Sequence, residues 1–207
     1  MPFILPEGLA PEVYPLAWLV GDWHGEGVVG YPGIEESAFT QDITFSHDGG
    51  PYLAYTSTIR LVVAPDDAAA LAAQDGEPSA DAEPDDAPAS TPVPQQAPGP
   101  VWSTESGFWR IAPERPEGLT EEQHPVEVLL SDPSGFLSVY LGAVGNGRID
   151  LASDLVARTA TGADVTASTR LYGLVNSELM WAQDLAAFGQ AMQTYASARL
   201  TRVENEE

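Results

Sequence analysis

Outside one interruption, polar and apolar positions alternate with a period of two in short runs separated by Gly, Pro, Asn and Asp, the pattern of half-buried strands rather than of helices. Between Arg148 and Val156, for example, Ile149, Leu151 and Leu155 fall on one face and Asp150 and Asp154 on the other. Runs of this kind lie near residues 23–30, 36–46, 51–63, 101–112, 125–131, 135–143, 147–157, 163–174, 177–187 and 191–203, so about ten strands are expected. Gly145-Asn146-Gly147 is a strong hairpin signal. Strands at regular spacing with no helical period between them predict an all-β protein, an antiparallel up-and-down meander. A meander of this length hides its edges best by closing into a β-barrel, with a two-sheet sandwich as the alternative. The Pro-rich start from Pro11 to Leu19 reads as a short helical turn that plugs one end.

The interruption is residues 65–100, which hold eight Pro, eight Asp or Glu and ten Ala, with no aromatic and no basic residue. Such a stretch buries too little apolar surface to offset its ordering entropy and is expected to be a disordered loop. It falls between the third and fourth strands, inside a single hairpin, where an insertion costs least. The chain of 207 residues is therefore expected to form one barrel domain, 1–207, interrupted at 65–100.

Charge and composition exclude several function classes. Acidic residues number 31 against 8 basic ones, all of them Arg, for a net charge of -23. No basic patch is available to neutralise phosphates, so neither nucleic acid nor an anionic membrane surface is an expected partner. There is no Cys, hence no thiolate metal site and no cysteine nucleophile. No apolar run reaches the roughly 18 residues of a membrane span, and the expected location is the cytoplasm. The sequence has no nucleophile elbow, phosphate loop or His-Glu-x-x-His motif, and no metal site is expected.

One motif is more specific. Gly21-Asp22-Trp23-His24-Gly25-Glu26-Gly27 fits Gly-x-Trp-x-Gly-x-Gly, in which glycines permit bending or close backbone approach and Trp23 can close one end of a barrel. Tyr31-Pro32 with Ile34, Phe45-Ser46-His47-Asp48-Gly49-Gly50-Pro51-Tyr52-Leu53-Ala54-Tyr55 and Glu105-Ser106-Gly107-Phe108-Trp109-Arg110 follow in order. Pro133-Ser134-Gly135, Val165-Thr166-Ala167 and Ala186-Ala187-Phe188-Gly189-Gln190 continue the series. In these segments the chain resembles the nitrobindin family of lipocalin-like and fatty-acid-binding-protein-like β-barrels. The resemblance covers essentially everything except 65–100. It implies a barrel that binds haem b through a proximal His near the C-terminus, with nitric oxide binding and peroxynitrite isomerisation as the associated activity.

At the position of that His, the resemblance places Tyr195, within Gly189-Gln190-Ala191-Met192-Gln193-Thr194-Tyr195-Ala196. Other family residues have changed with it: Thr161-Gly162-Ala163-Asp164-Val165 lacks the family's Lys, Ser103 stands for a His, and Gly33 for a Thr. The three His that remain read as local residues: His24 solvent-facing in the first strand, His47 bonding to backbone in its turn, His124 in an exposed loop. A Tyr can ligate haem iron, but its ordinary pKa of about 10 requires the metal or a cation to favour the phenolate. Arg199 shares its face by parity yet lies four residues away, roughly 13 Å along a strand. Parity groups Tyr195 with Gln193, Ser197 and Arg199 against Met192, Ala196, Ala198 and Leu200. Either face can be the interior of a ligand-holding barrel, so the direction of Tyr195 stays open.

The expectation is a nitrobindin-like barrel that has lost iron-ligated haem, with no cofactor and a small apolar ligand as the candidate occupant. The family's isomerase activity is not carried over. One alternative keeps haem b, with Tyr195 as its axial ligand and the reactive-nitrogen chemistry retained. Another makes the barrel an interaction scaffold whose acidic loop meets a basic partner. No oligomeric state follows from the sequence.

Overall fold

In the computed structural model, which describes residues 5–62 and 99–203, ten antiparallel strands follow a 3-10 helix at Pro11–Leu19. They are β1 (Gly21–Tyr31), β2 (Ile34–Ser46), β3 (Leu53–Leu61), β4 (Val101–Ile111) and β5 (His124–Asp132), then β6 (Phe136–Gly145), β7 (Arg148–Arg158), β8 (Val165–Val175), β9 (Glu178–Ala187) and β10 (Gln193–Arg202). Each strand pairs with its neighbours in sequence, and β1 also pairs with β10, which closes the barrel. The sandwich alternative is thereby excluded. The β6–β7 turn has Asn146 at φ 51° and Gly147 at φ 69°, the paired positive values that match the twist of a two-residue hairpin.

The helix is the plug expected from its position. Val13, Leu16, Ala17 and Leu19 are buried, and the Trp23 indole Nε1 donates to the Leu19 carbonyl at 2.8 Å. Arg202, at the end of the last strand, lies over the Trp23 ring at 4.2 Å and donates to the Trp18 and Val20 carbonyls, satisfying the end of the plug. Gly25 and Gly27 of the opening motif let β10 approach closely: a Cβ on Gly25 would sit 2.1 Å from the Arg199 carbonyl oxygen, and one on Gly27 2.3 Å from the Ser197 carbonyl oxygen. Gly21 holds φ 125° where the chain passes from plug to strand.

Above the plug the interior is a layer of rings. Phe45, Tyr55, Trp109 and Tyr172 contact one another at centroid distances of 5.0–5.8 Å, in the tilted and edge-on arrangements aromatic pairs prefer. Residues 63–98, which contain almost all of the expected disordered loop, lie outside the described residues, as do 1–4 and 204–207. Gly99 and Pro100 are described: the Pro100 carbonyl accepts from Leu61 N at 3.0 Å and extends the β3–β4 pairing. Among the described residues no helix is long and apolar enough to cross a membrane.

Five ladders shift register by one residue, with the extra residue on β2, β4, β7, β8 and β10, and each shift breaks the period-two reading. On β7, Val139 pairs with Leu155 but Tyr140 with Ser153, so Asp154 is an extra residue. Beyond this bulge the faces exchange, and Leu155, expected inside with Ile149 and Leu151, is 52% exposed. The shift on β10 decides the site.

Candidate functional site

The odd strands run away from the plug and the even strands back toward it, so the end opposite the plug gathers the ends of β1, β3, β5, β7 and β9 and the starts of β2, β4, β6, β8 and β10. A cavity of about 290 Å³ opens there. Its upper wall carries Ile34, Trp102, Phe136, Val165, Leu185 and Tyr195, and its floor Gln41, Tyr55, Glu105, Arg170, Trp181 and Gln183.

Tyr195 reaches this cavity through a β-bulge. Thr194 pairs with Asp184 and Ala196 with Gln183, which leaves Tyr195 as an extra residue in the β9–β10 ladder. Two successive side chains, Tyr195 and Ala196, thus turn inward, while Arg199 is exposed and makes a bidentate ion pair with Glu178 at 2.6 and 2.7 Å. The shared face that parity assigns to Tyr195 and Arg199 does not exist, because Tyr195 is itself the extra residue of the bulge. The Tyr195 hydroxyl accepts a hydrogen bond from the Trp102 indole Nε1 at 2.8 Å, and its ring meets Tyr31 edge-on at 6.1 Å. Burial pushes the phenol above its ordinary pKa, with the Trp102 bond opposing.

The floor is polar and largely satisfied. The Arg170 guanidinium, 5% exposed, makes a bidentate pair with the Glu105 carboxylate and lies 5.2 Å from the Tyr140 ring. Burial works against its charge, but Glu105 together with Tyr140 and Tyr172 more than compensates and holds it protonated well above the ordinary range. Gln41 donates to Ser57 Oγ at 2.9 Å and accepts from the Trp181 indole at 2.7 Å, and Gln183 donates to Ser168 Oγ at 3.0 Å. On the wall, burial pushes the Asp132 carboxyl up, against the pull of the Ser134 N–H and hydroxyl.

The sequence profile of a THAP4-like, heme-binding beta-barrel domain matches residues 12–202. The ferric nitrobindin-like protein of Beutenbergia cavernae is 46% identical over 228 aligned residues, covering 98% of this chain and 100% of that one. The chain belongs to this family, the nitrobindins. A protein of Parafrankia sp. named peroxynitrite isomerase is 39% identical, over 94% of this nitrobindin barrel and 81% of the relative. The crystal structure of Rv2717c from M. tuberculosis superposes with a TM-score of 0.68 at 27% identity, covering 95% of this chain and 99% of that one.

None of the three His of this nitrobindin lines the cavity. His24 is exposed and its Nδ1 meets Asp42 at 2.7 Å. His47 does not make the expected backbone bond through Nδ1, which is buried without a partner. His124 is not a loop residue but the first residue of β5, opposite Val144. Among the described residues no cluster of His, Asp or Glu is arranged to hold a metal ion. Of the departures from the family pattern, Ser103 and Ala163 line the cavity, Gly33 holds φ 88° in the β1–β2 turn, and Asp164 pairs with Arg158 at 2.9 Å. Sequence reasoning missed Trp102, Asp132 and the Glu105–Arg170 pair as site residues. A signal existed for two of them: Glu105 and Arg170 lie at even spacing from Trp109 and Tyr172, residues of the kind that fills a barrel interior.

Proposed function

We propose that this nitrobindin barrel has given up iron-ligated haem and holds a small organic ligand in the cavity beneath Tyr195. The observation that carries the reading is the state of the Tyr195 hydroxyl. Ligation of ferric iron needs the phenolate. Here burial favours the neutral phenol, an oxygen lone pair is engaged by Trp102, and the lining cation, Arg170, has both terminal nitrogens on Glu105. With no His on the wall, the donors present do not fit an iron-bound haem. The cavity, about 290 Å³, stands at the lower end of ligand sites, which run from about 300 to 1,000 Å³, and its mix of rings, aliphatic groups and a few convergent polar atoms is that of an organic-ligand site.

The test is a haemin titration of the full-length protein followed by absorption spectroscopy, with Tyr195→His and Tyr195→Phe in parallel. The parent and Tyr195→Phe are expected to give no saturable ferric Soret shift, and Tyr195→His to gain one. A saturable high-spin ferric spectrum in the parent that Tyr195→Phe abolishes overturns the reading and makes Tyr195 an axial haem ligand.

A further inference from the structure

The hydrogen bond between Trp102 and Tyr195 has a fixed polarity. An indole N–H donates and never accepts, so at 2.8 Å the Tyr195 oxygen is the acceptor. Its own proton is thereby directed elsewhere, and among the described residues it meets no acceptor. A half-buried hydroxyl at the wall of a cavity thus presents a proton that is already oriented by its neighbour. Polarisation by the indole makes that proton a better donor than an isolated phenol's.

The surroundings select what can accept it. Arg170 has its charge met by the Glu105 carboxylate through both terminal nitrogens, and its Nε, which has no partner, is buried, so an anion entering the cavity reaches no unpaired cation and faces the Glu105 and Asp132 carboxylates. A cation finds Glu105 already paired with Arg170, Asp132 pushed by burial toward its neutral form, and apolar walls of Ile34, Val165 and Leu185 that penalise any ion. The edge-on Tyr31–Tyr195 contact and the Phe136 and Phe188 rings suit an aromatic body.

We infer that the cavity selects a small, neutral, aromatic molecule bearing a carbonyl-type acceptor, held by a hydrogen bond from the Tyr195 hydroxyl. This rests on the reading that the cavity takes an organic ligand in place of iron-bound haem. Tyr195 then acts as the specificity residue of the site, and Trp102 as the residue that orients it.

Four matched probes test it on the full-length protein: acetophenone, ethylbenzene, benzoate and benzylamine. Titrations are followed through the Trp102 indole N–H resonance, assigned with Trp102→Phe. Acetophenone is expected to bind about 3- to 10-fold more tightly than ethylbenzene, the range of one hydrogen bond made against solvent competition, and more tightly than either ion. It is also expected to move the Trp102 indole proton downfield, because accepting from Tyr195 strengthens the bond behind it. In Tyr195→Phe the ketone-to-hydrocarbon ratio falls to about one while ethylbenzene still binds, which shows the cavity intact. Ethylbenzene binding as tightly as acetophenone in the parent, or either ion binding more tightly, overturns the inference and leaves the organic-ligand reading standing. Failure of all four probes to saturate overturns both.

Discussion

Replacing Glu105 by Gln is expected to cost about 3–5 kcal/mol, because it leaves the Arg170 guanidinium charged and buried with half of its bidentate partner gone. Chemical denaturation measures this, and the double replacement Glu105→Leu with Arg170→Met is expected to recover most of the loss, since it removes both charges. Asp132 carries a pH signature. Its carboxyl is pushed above the ordinary value by burial, so the folded chain keeps a proton that the unfolded chain loses from about pH 3.9 upward. Stability contributed at this residue falls as pH rises through the interval between the ordinary and the raised value. Asp132→Asn, which retains an oxygen for the Ser134 N–H, is therefore expected to gain stability relative to the parent across that interval and to hold a constant advantage above it. Melting curves at pH 4 to 8 read the sign directly. Neither residue declares itself in the sequence, where 31 acids offer no way to tell a buried carboxylate from a solvated one.

At the scale of strands, the same register that closes the barrel makes it intolerant at the seam. Gly25→Ala puts a methyl group 2.6 Å from the Leu200 Cα, a backbone contact that no rotamer relieves, so β1 and β10 must separate locally. A loss of about 1–3 kcal/mol is expected, with faster amide exchange along the Trp23–Val29 ladder to β10; exchange no faster than in the parent would refute it. The glycine motif was legible as a requirement for close approach before any partner strand was known. Bulges were not. A single extra residue in β10, and another in β7, exchanges the two faces of each strand, and strict alternation read along one strand has no means of detecting it.

The whole molecule carries a net charge of -23, and self-repulsion of that size opposes any compact state. Added salt shortens its range, from about 30 Å at 0.01 M to about 8 Å at 0.15 M. The melting temperature is accordingly expected to rise between those two concentrations of sodium chloride; a fall would mean that the ion pairs, such as Arg199–Glu178, outweigh the repulsion. Closure acts at this scale too: β1 pairs with β10 and the plug stops one end, while β7 and β8 pair only over Arg148–Ala152 and part toward the cavity end.

Sequence alone determined the number and order of the strands, the site of the interruption between β3 and β4, the plug, the β6–β7 turn and the family. Each of these is a local property: a period, a turn dipeptide, a run of prolines, a short motif. Only the tertiary structure decided that Tyr195 faces inward and Arg199 outward, that Trp102 holds the Tyr195 hydroxyl across 93 positions of chain, and that Arg170 meets Glu105 across 65. Those facts depend on which residue of one strand lies opposite which residue of another. Ladder register, shifted by one at each bulge, exists only once the barrel has closed.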